Sequence, residues 1–283
     1  LAQNAMEILA GDAARTARDI WLKGWAEAGA GNISVRVDPA AVDLKRAARG
    51  RWVDIQETPG LKGRVLFMTA GGSLFRTLRE DPFTGCGLLE IDAEGRRCRT
   101  LVGFHHGGKP SSEMPSHLTA HEALVQCGRE ECKAIVHCHA SSLLVLQSVT
   151  GLETRALTRL LWGIHSEGVA LFPDGVEVCP WSSPGSVSLS RVTAEGFRKR
   201  RILLWPYHGV IAAGEDIREA FGLIEAAEKA AELVVRNLSL GGPKAWLSSD
   251  DLDEIASRFG VSPDREILRS PVHDFSTAWR GAS

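Results

Sequence analysis

Tyrosine is nearly missing from this chain: Tyr207 is the only one among 283 residues that include eight tryptophans. Phenol-based proton transfer therefore has a single candidate donor. Cysteine is sparse as well. The six thiols, Cys86, Cys98, Cys127, Cys132, Cys138 and Cys179, are too thinly spread for a secreted disulfide framework, and reduced thiols are expected. No stretch reaches the roughly 18 consecutive apolar residues of a membrane span. Net charge is also small, since 33 Lys and Arg oppose 35 Asp and Glu. A balance of -2 supplies no bulk cationic field for nucleic acid or an anionic membrane, so neither is an expected partner and any bound anion must be held locally. The first 23 residues carry Glu7, Asp12, Arg15, Arg18 and Asp19 at helical intervals and no long apolar run, which predicts no signal peptide and a cytoplasmic protein. A Walker loop, internal repeats and low-complexity tracts are absent too.

What is present is an ordinary globular composition, 44% hydrophobic and 24% charged. Ala5, Ile8, Leu9, Ala13, Ala17, Ile20, Trp21 and Trp25 form an apolar stripe that predicts an N-terminal amphipathic helix. Short β-like runs follow at Ile33 to Val37, Trp52 to Ile55, Val65 to Met68, Gly87 to Ile91 and Thr100 to Phe104. Pro115 opens a helical pattern to about Gln126, Ala134 to His139 reads as a strand, and Ser141 to about Val149 as a helix. Val169 to Phe172, Val176 to Val178, Ile202 to Trp205 and Val210 to Ala213 are further strand candidates. A long helix opens near Asp216 and stops at Gly241-Gly242. The length allows two domains or one large one, and with no linker in sight a single α/β domain is expected.

Nine histidines are present, and most need no function to explain them. The pair His137 and His139 differs, because residues i and i+2 of a strand point to one face and two imidazoles so placed can chelate an ion. His208, between two strand candidates, offers a third. Three neutral imidazoles with one position left open describe a catalytic divalent site. Nitrogen donors favour zinc over magnesium or calcium, while iron, cobalt or manganese would accept the same set. Cys138, between the pair, is expected on the opposite face. Glu113, just before the Pro115 helix, reads either as a base beside the metal or as an ordinary acid at a helix N-terminus. Ser111 and Ser112 either cap that helix or bind phosphate. Gly29-Ala30-Gly31-Asn32 and Ala70-Gly71-Gly72-Ser73 are either plain turns or amide nests for an anion.

Taken together, Gly31-Asn32-Ile33-Ser34, Thr69-Ala70-Gly71-Gly72, Ser111-Ser112-Glu113-Met114-Pro115-Ser116-His117, His137-Cys138-His139 and Trp205-Pro206-Tyr207-His208-Gly209 resemble the zinc-dependent class II aldolase and adducin family. The likeness spans about residues 17 to 263. It is greatest to the branch acting on rhamnulose 1-phosphate, through Trp21-Leu22-Lys23-Gly24-Trp25, Leu161-Trp162, Glu167, Phe172-Pro173-Asp174-Gly175 and the segment Phe221 to Lys229. The resemblance implies a single domain with a central, largely antiparallel sheet in a three-layer α/β/α arrangement: an N-terminal helix over 1–28, a catalytic core over about 29–242, and a C-terminal helix and tail over 243–283. It implies one zinc ion on His137, His139 and His208, and Glu113 as the acid/base. It also implies Glu167 as an acid reaching a neighbouring subunit's site, and a phosphate pocket at Asn32, Gly71, Gly72, Ser111 and Ser112.

The implied reaction is reversible cleavage of L-rhamnulose 1-phosphate to dihydroxyacetone phosphate and L-lactaldehyde through a metal-stabilised enediolate, in a homotetramer with sites at subunit interfaces. The alternatives are a fuculose-phosphate aldolase, a pentulose-phosphate 4-epimerase or another enzyme of the scaffold, or a metal-free binding module like the adducin head. Fuculose-type aldolases and the epimerases use tyrosines as proton donors, which this chain scarcely has. The pattern departs from its relatives at Gly29 and Gly71, where an asparagine and a serine are common.

Overall fold

Alternation along the central strands sorts the helices onto two faces of one sheet. The computed structural model describes residues 2–42 and 50–272, so residues 43–49 of the expected core and 273–283 of the expected tail lie outside the described residues. Nine strands, β1 (Asn32–Val37), β2 (Val53–Asp54), β3 (Val65–Thr69), β4 (Cys86–Ile91), β5 (Arg97–Gly103), β6 (Ala134–Cys138), β7 (Val176–Val178), β8 (Ile202–Trp205) and β9 (Gly209–Gly214), join in the order β2-β5-β4-β3-β1-β6-β9-β8-β7. Every pairing is antiparallel except β7 with β8. The expected largely antiparallel sheet between helical layers is therefore what the chain builds.

The helices are α1 (Ala2–Leu22), α2 (Pro82–Gly85), α3 (Met114–Gln126), α4 (Ser141–Thr150), α5 (Thr154–Ile164), α6 (Glu167–Leu171), α7 (Val187–Phe197), α8 (Ile217–Ser239), α9 (Ser249–Phe259) and α10 (Arg265–Leu268). Val136, Ile202, Leu204, Val210 and Ala212 bury one face of the sheet in a core shared with α1, α4, α5 and α8. Ile135, Leu203, Ile211 and Ala213, on alternate positions, pack against Ala120 and Leu124 of α3 and Leu189 and Val192 of α7. Side chains on this second face of β1 and β6 therefore meet α3, and these include Asn32, Ser34 and His137.

Two sequence expectations are corrected. Val169 to Phe172 is not a strand: Glu167–Leu171 forms α6, with Val169 and Phe172 buried and Leu171 45% exposed. Burial at i and i+3 is a helical period, which a four-residue apolar run cannot distinguish from a strand. On α1, which ends at Leu22 rather than near residue 28, the buried face is Met6, Ala10, Ala13, Ala17 and Ile20, whereas Ile8 and Trp21 of the expected stripe are exposed. Alanine lets the helix lie close to its neighbours, so small size outranks hydrophobicity here. The long α8 matches expectation: the Asp216 side chain accepts from the Glu219 amide at 2.8 Å, and Gly241 and Gly242 follow at positive φ.

Candidate active site

Register brings the first polar groups together. Asn32 of β1 lies opposite His137 of β6. His139 follows the end of β6, its amide donating to the Trp25 carbonyl at 2.9 Å. His208 projects from the tight β8–β9 turn, where its amide donates to the Trp205 carbonyl at 3.0 Å and Tyr207 takes a left-handed φ of 60°. Ligand-capable atoms of His137, His139 and His208 all lie within 4.8 Å of one another. Cys138 is fully buried in the core on the other face, as the period of two requires. Gly209 makes room for the cluster, because a β-carbon there would sit 2.6 Å from Cε1 of His137 and 3.0 Å from Cδ2 of His139.

The donor set fits a divalent transition metal. Nδ1 of His137 is paired with the Val210 carbonyl at 2.9 Å, and Nδ1 of His139 with a Glu27 carboxylate oxygen at 2.6 Å. With each Nδ1–H donating, both Nε2 atoms are free to coordinate, and the ring orientations are fixed. Burial pushes His137 down to about 3, which keeps it the neutral imidazole a metal needs. Nδ1 of His208 is buried without a hydrogen-bond partner among the described residues. Glu27 was not anticipated from the sequence, since it lies 112 residues from His139 and in no motif. Glu27→Ala is expected to weaken metal binding about tenfold, measured by competition with a chromogenic chelator, because the carboxylate orients the ring from outside the coordination shell.

Glu113 faces the same cluster. It occupies the N-cap position of α3 but caps no amide with its side chain. Instead the carboxylate accepts from Nδ2 of Asn32 at 2.8 Å and lies 3.1 Å from Nε2 of His208 and 3.4 Å from Nε2 of His137. Burial by itself would raise its pKa; hydrogen bonds from His208 and the Asn32 amide act against this, and the net direction is below the usual carboxylate range. A buried carboxylate within 3.4 Å of two imidazoles, and not spent on its own helix, is a candidate functional group.

A recess of about 170 Å³ gathers the remaining expected residues. Asn32, Gly71, Gly72, Ser111, Ser112 and Glu113 line it together with His137, His139 and His208. The amides of Gly72 and Ser112 have no backbone acceptor among the described residues, and Ser111 Oγ accepts from the Glu113 amide at 3.2 Å, leaving its own proton to give. The Asn32 side chain is engaged elsewhere, with Glu113 and with Nε2 of His117. At Gly29, φ is +82° and a β-carbon would come within 3.2 Å of the Gly72 backbone, so a side chain would strain this loop. Gly71 has no positive φ, and its nearest neighbour would be 3.4 Å from a β-carbon.

Glu167 is not brought to this recess in its own chain; it is exposed at the start of α6. Tyr207, 72% exposed, lines a separate and larger recess of about 720 Å³ beyond the β8–β9 turn. The only phenol thus stands apart from the imidazoles, turned out by its left-handed φ in the β8–β9 connection.

Sheet order, register and site geometry together define a metal-site scaffold, and comparison with known proteins gives it a family. Residues 12–235 match the model of the class II aldolase and adducin N-terminal domain, and the chain belongs to that family. It is 36% identical over 254 residues to the rhamnulose-1-phosphate aldolase of Klebsiella pneumoniae, covering 88% of this chain and 92% of that protein. A rhamnulose-1-phosphate aldolase of Pectobacterium atrosepticum is 37% identical over 256 residues, covering 89% and 93%. Among solved structures, the sugar-phosphate aldolase of Thermotoga maritima superposes with a TM-score of 0.72 at 35% identity, covering 84% of this chain and 98% of that one.

Proposed function

We propose that this chain is a zinc-dependent aldolase that reversibly cleaves L-rhamnulose 1-phosphate to dihydroxyacetone phosphate and L-lactaldehyde. The observation that carries this reading is the buried Glu113 carboxylate set against three convergent imidazoles in a recess that also presents free amides. His137, His139 and His208 would hold the ion, with Glu27 and the Val210 carbonyl fixing two of the rings. When bound, a divalent ion supplies Lewis-acid polarisation of the ketone and its neighbouring hydroxyl. Glu113 moves the proton at the carbon that is C3 of the ketose, giving it in cleavage and removing it in synthesis.

The phosphate sits at the Gly71-Gly72 turn and the Ser111-Ser112 segment, held by amides and hydroxyls rather than by a cation. Asn32 contributes to this pocket through its place in the wall, with its amide turned to Glu113. Gly71→Ser is expected to lower KM for the phosphorylated substrate about threefold to tenfold, as one added hydrogen bond of ordinary net strength would, with kcat changed little. Steady-state kinetics on phosphorylated and unphosphorylated ketoses checks this; an equal gain for both would place the phosphate elsewhere.

The working form is a homotetramer in which Glu167 of one subunit approaches the site of the next, and its exposure away from its own recess supports that reading. Six free cysteines accord with a cytoplasmic enzyme. The reaction itself is tested by incubating the zinc-loaded protein with L-rhamnulose 1-phosphate, L-fuculose 1-phosphate and a pentulose phosphate. Release of dihydroxyacetone phosphate fastest from the first supports the proposal. No cleavage of it, with conversion of another, overturns it.

A further inference from the structure

Behind Glu113 a line of buried polar side chains runs between β1 and α3. Asn32 and Ser34, two apart on β1, share the face that meets α3, where His117 and His121 are four apart and so adjacent on one helix face. Ser34 Oγ lies 2.6 Å from Nδ1 of His117 and 2.8 Å from Nε2 of His121. Nε2 of His117 contacts Oδ1 of Asn32, and Nδ2 of Asn32 reaches Glu113 at 2.8 Å. Ser34, His117 and His121 are all fully buried.

Hydrogen-bond bookkeeping leaves one consistent direction. The amide nitrogen of Asn32 donates to the Glu113 carboxylate at 2.8 Å, so the amide oxygen must accept. His117 then carries its proton on Nε2 to donate to that oxygen, which leaves Nδ1 to accept from the Ser34 hydroxyl. Ser34, having given its only proton, accepts from Nε2–H of His121. Nδ1 of His121 is buried with no partner among the described residues, so a proton there would have nothing among them to receive it. Burial pushes His117 down to about 4 and His121 well below its usual range, with Arg36 nearby acting in the same sense on His121. Both rings are neutral, and each bond in the line donates toward Glu113.

We propose that Ser34, His117 and His121 are positioning residues: through Asn32 they lock the amide in the orientation that donates to Glu113 and hold that carboxylate in place for proton transfer. Hydrogen bonds in series polarise one another, so the last donor is strengthened by those behind it. The geometry also excludes the flipped Asn32, which would set an amide oxygen against the carboxylate and an amide nitrogen against the Nε2–H of His117. The proposal rests on Glu113 being the proton carrier.

The tautomers are read by long-range 15N NMR of the zinc-loaded protein labelled at histidine. Nε2–H on both His117 and His121 near neutral pH is expected. A protonated ring, or Nδ1–H on His117, would overturn the proposal. Turnover is read in Ser34→Ala, which removes one hydroxyl: kcat should fall about tenfold with KM within about twofold, and the tautomer signature of His117 should be lost. Ser190→Ala, which deletes an equally buried hydroxyl on α7, should leave kcat unchanged. Equal losses in the two variants would mark Ser34 as merely structural and overturn the proposal. Full turnover in Glu113→Gln would instead overturn the role of Glu113, an outcome the tautomer measurement distinguishes.

Discussion

Glu113→Gln is expected to lower kcat about 1,000-fold, within the span that a positioned acid/base group contributes. The substitution keeps size and can still accept from Asn32, so the recess should hold its shape. What it removes is the capacity to take and return a proton. KM should change little, because a group that acts on the reacting proton contributes mainly in the transition state. The thermal midpoint should stay or rise, since a buried carboxylate is costly to fold around and active sites commonly sacrifice stability for function. Zinc content should remain near one per chain, as the three imidazoles are untouched. A loss of zinc or of folded protein in parallel with the loss of turnover would assign Glu113 a structural role instead.

The second large effect is expected from His139→Ala. His137 is a poor choice for this test, because it is buried, lies 4.8 Å from the Trp205 ring and bonds to the Val210 carbonyl, so deleting it leaves a core cavity. The side chain of His139 is 22% exposed and its loss should spare the fold. Two imidazoles bind a divalent ion far more weakly than three, and zinc retained after dialysis should drop from about one per chain to below about 0.1. Turnover should fall with it, and chelation of the wild-type protein should produce the same loss, reversed by added zinc. Wild-type protein that holds no zinc, iron or cobalt after gentle purification would favour the adducin-like binding module over the enzyme.

Much of this site could be read from the amino-acid sequence because its spacing is simple. A period of two places His137 and His139 on one face of a strand and Cys138 on the other, and the structure has all three so disposed. The long α8 was legible from a capping aspartate and paired glycines, whereas the largely antiparallel pairing of the sheet was implied by the family resemblance. Other features depend on tertiary context. Alternation could place Tyr207 and His208 apart, but the left-handed turn that separates them is a property of the folded β8–β9 connection. The helices α5 and α7 were not anticipated, because Leu157, Leu160 and Leu161, or Leu189 and Val192, are buried by neighbours far off in the chain. Glu27 meets His139 only because the loop after α1 is tied to the end of β6, the His139 amide donating to the Trp25 carbonyl. The His117 and His121 spacing was visible all along, but nothing local showed that Ser34 stands between them.

The most direct measurement follows deuterium entering dihydroxyacetone phosphate, with no aldehyde present, on zinc-loaded wild-type protein and on Glu113→Gln. Proton transfer is then isolated from bond cleavage and from the identity of the aldehyde. Stereospecific exchange of one hydroxymethyl proton by the wild type, slowed about 1,000-fold in the variant, is the predicted result. No exchange by the wild type, or equal exchange by both proteins, would contradict a site in which Glu113 carries the proton beside the three imidazoles.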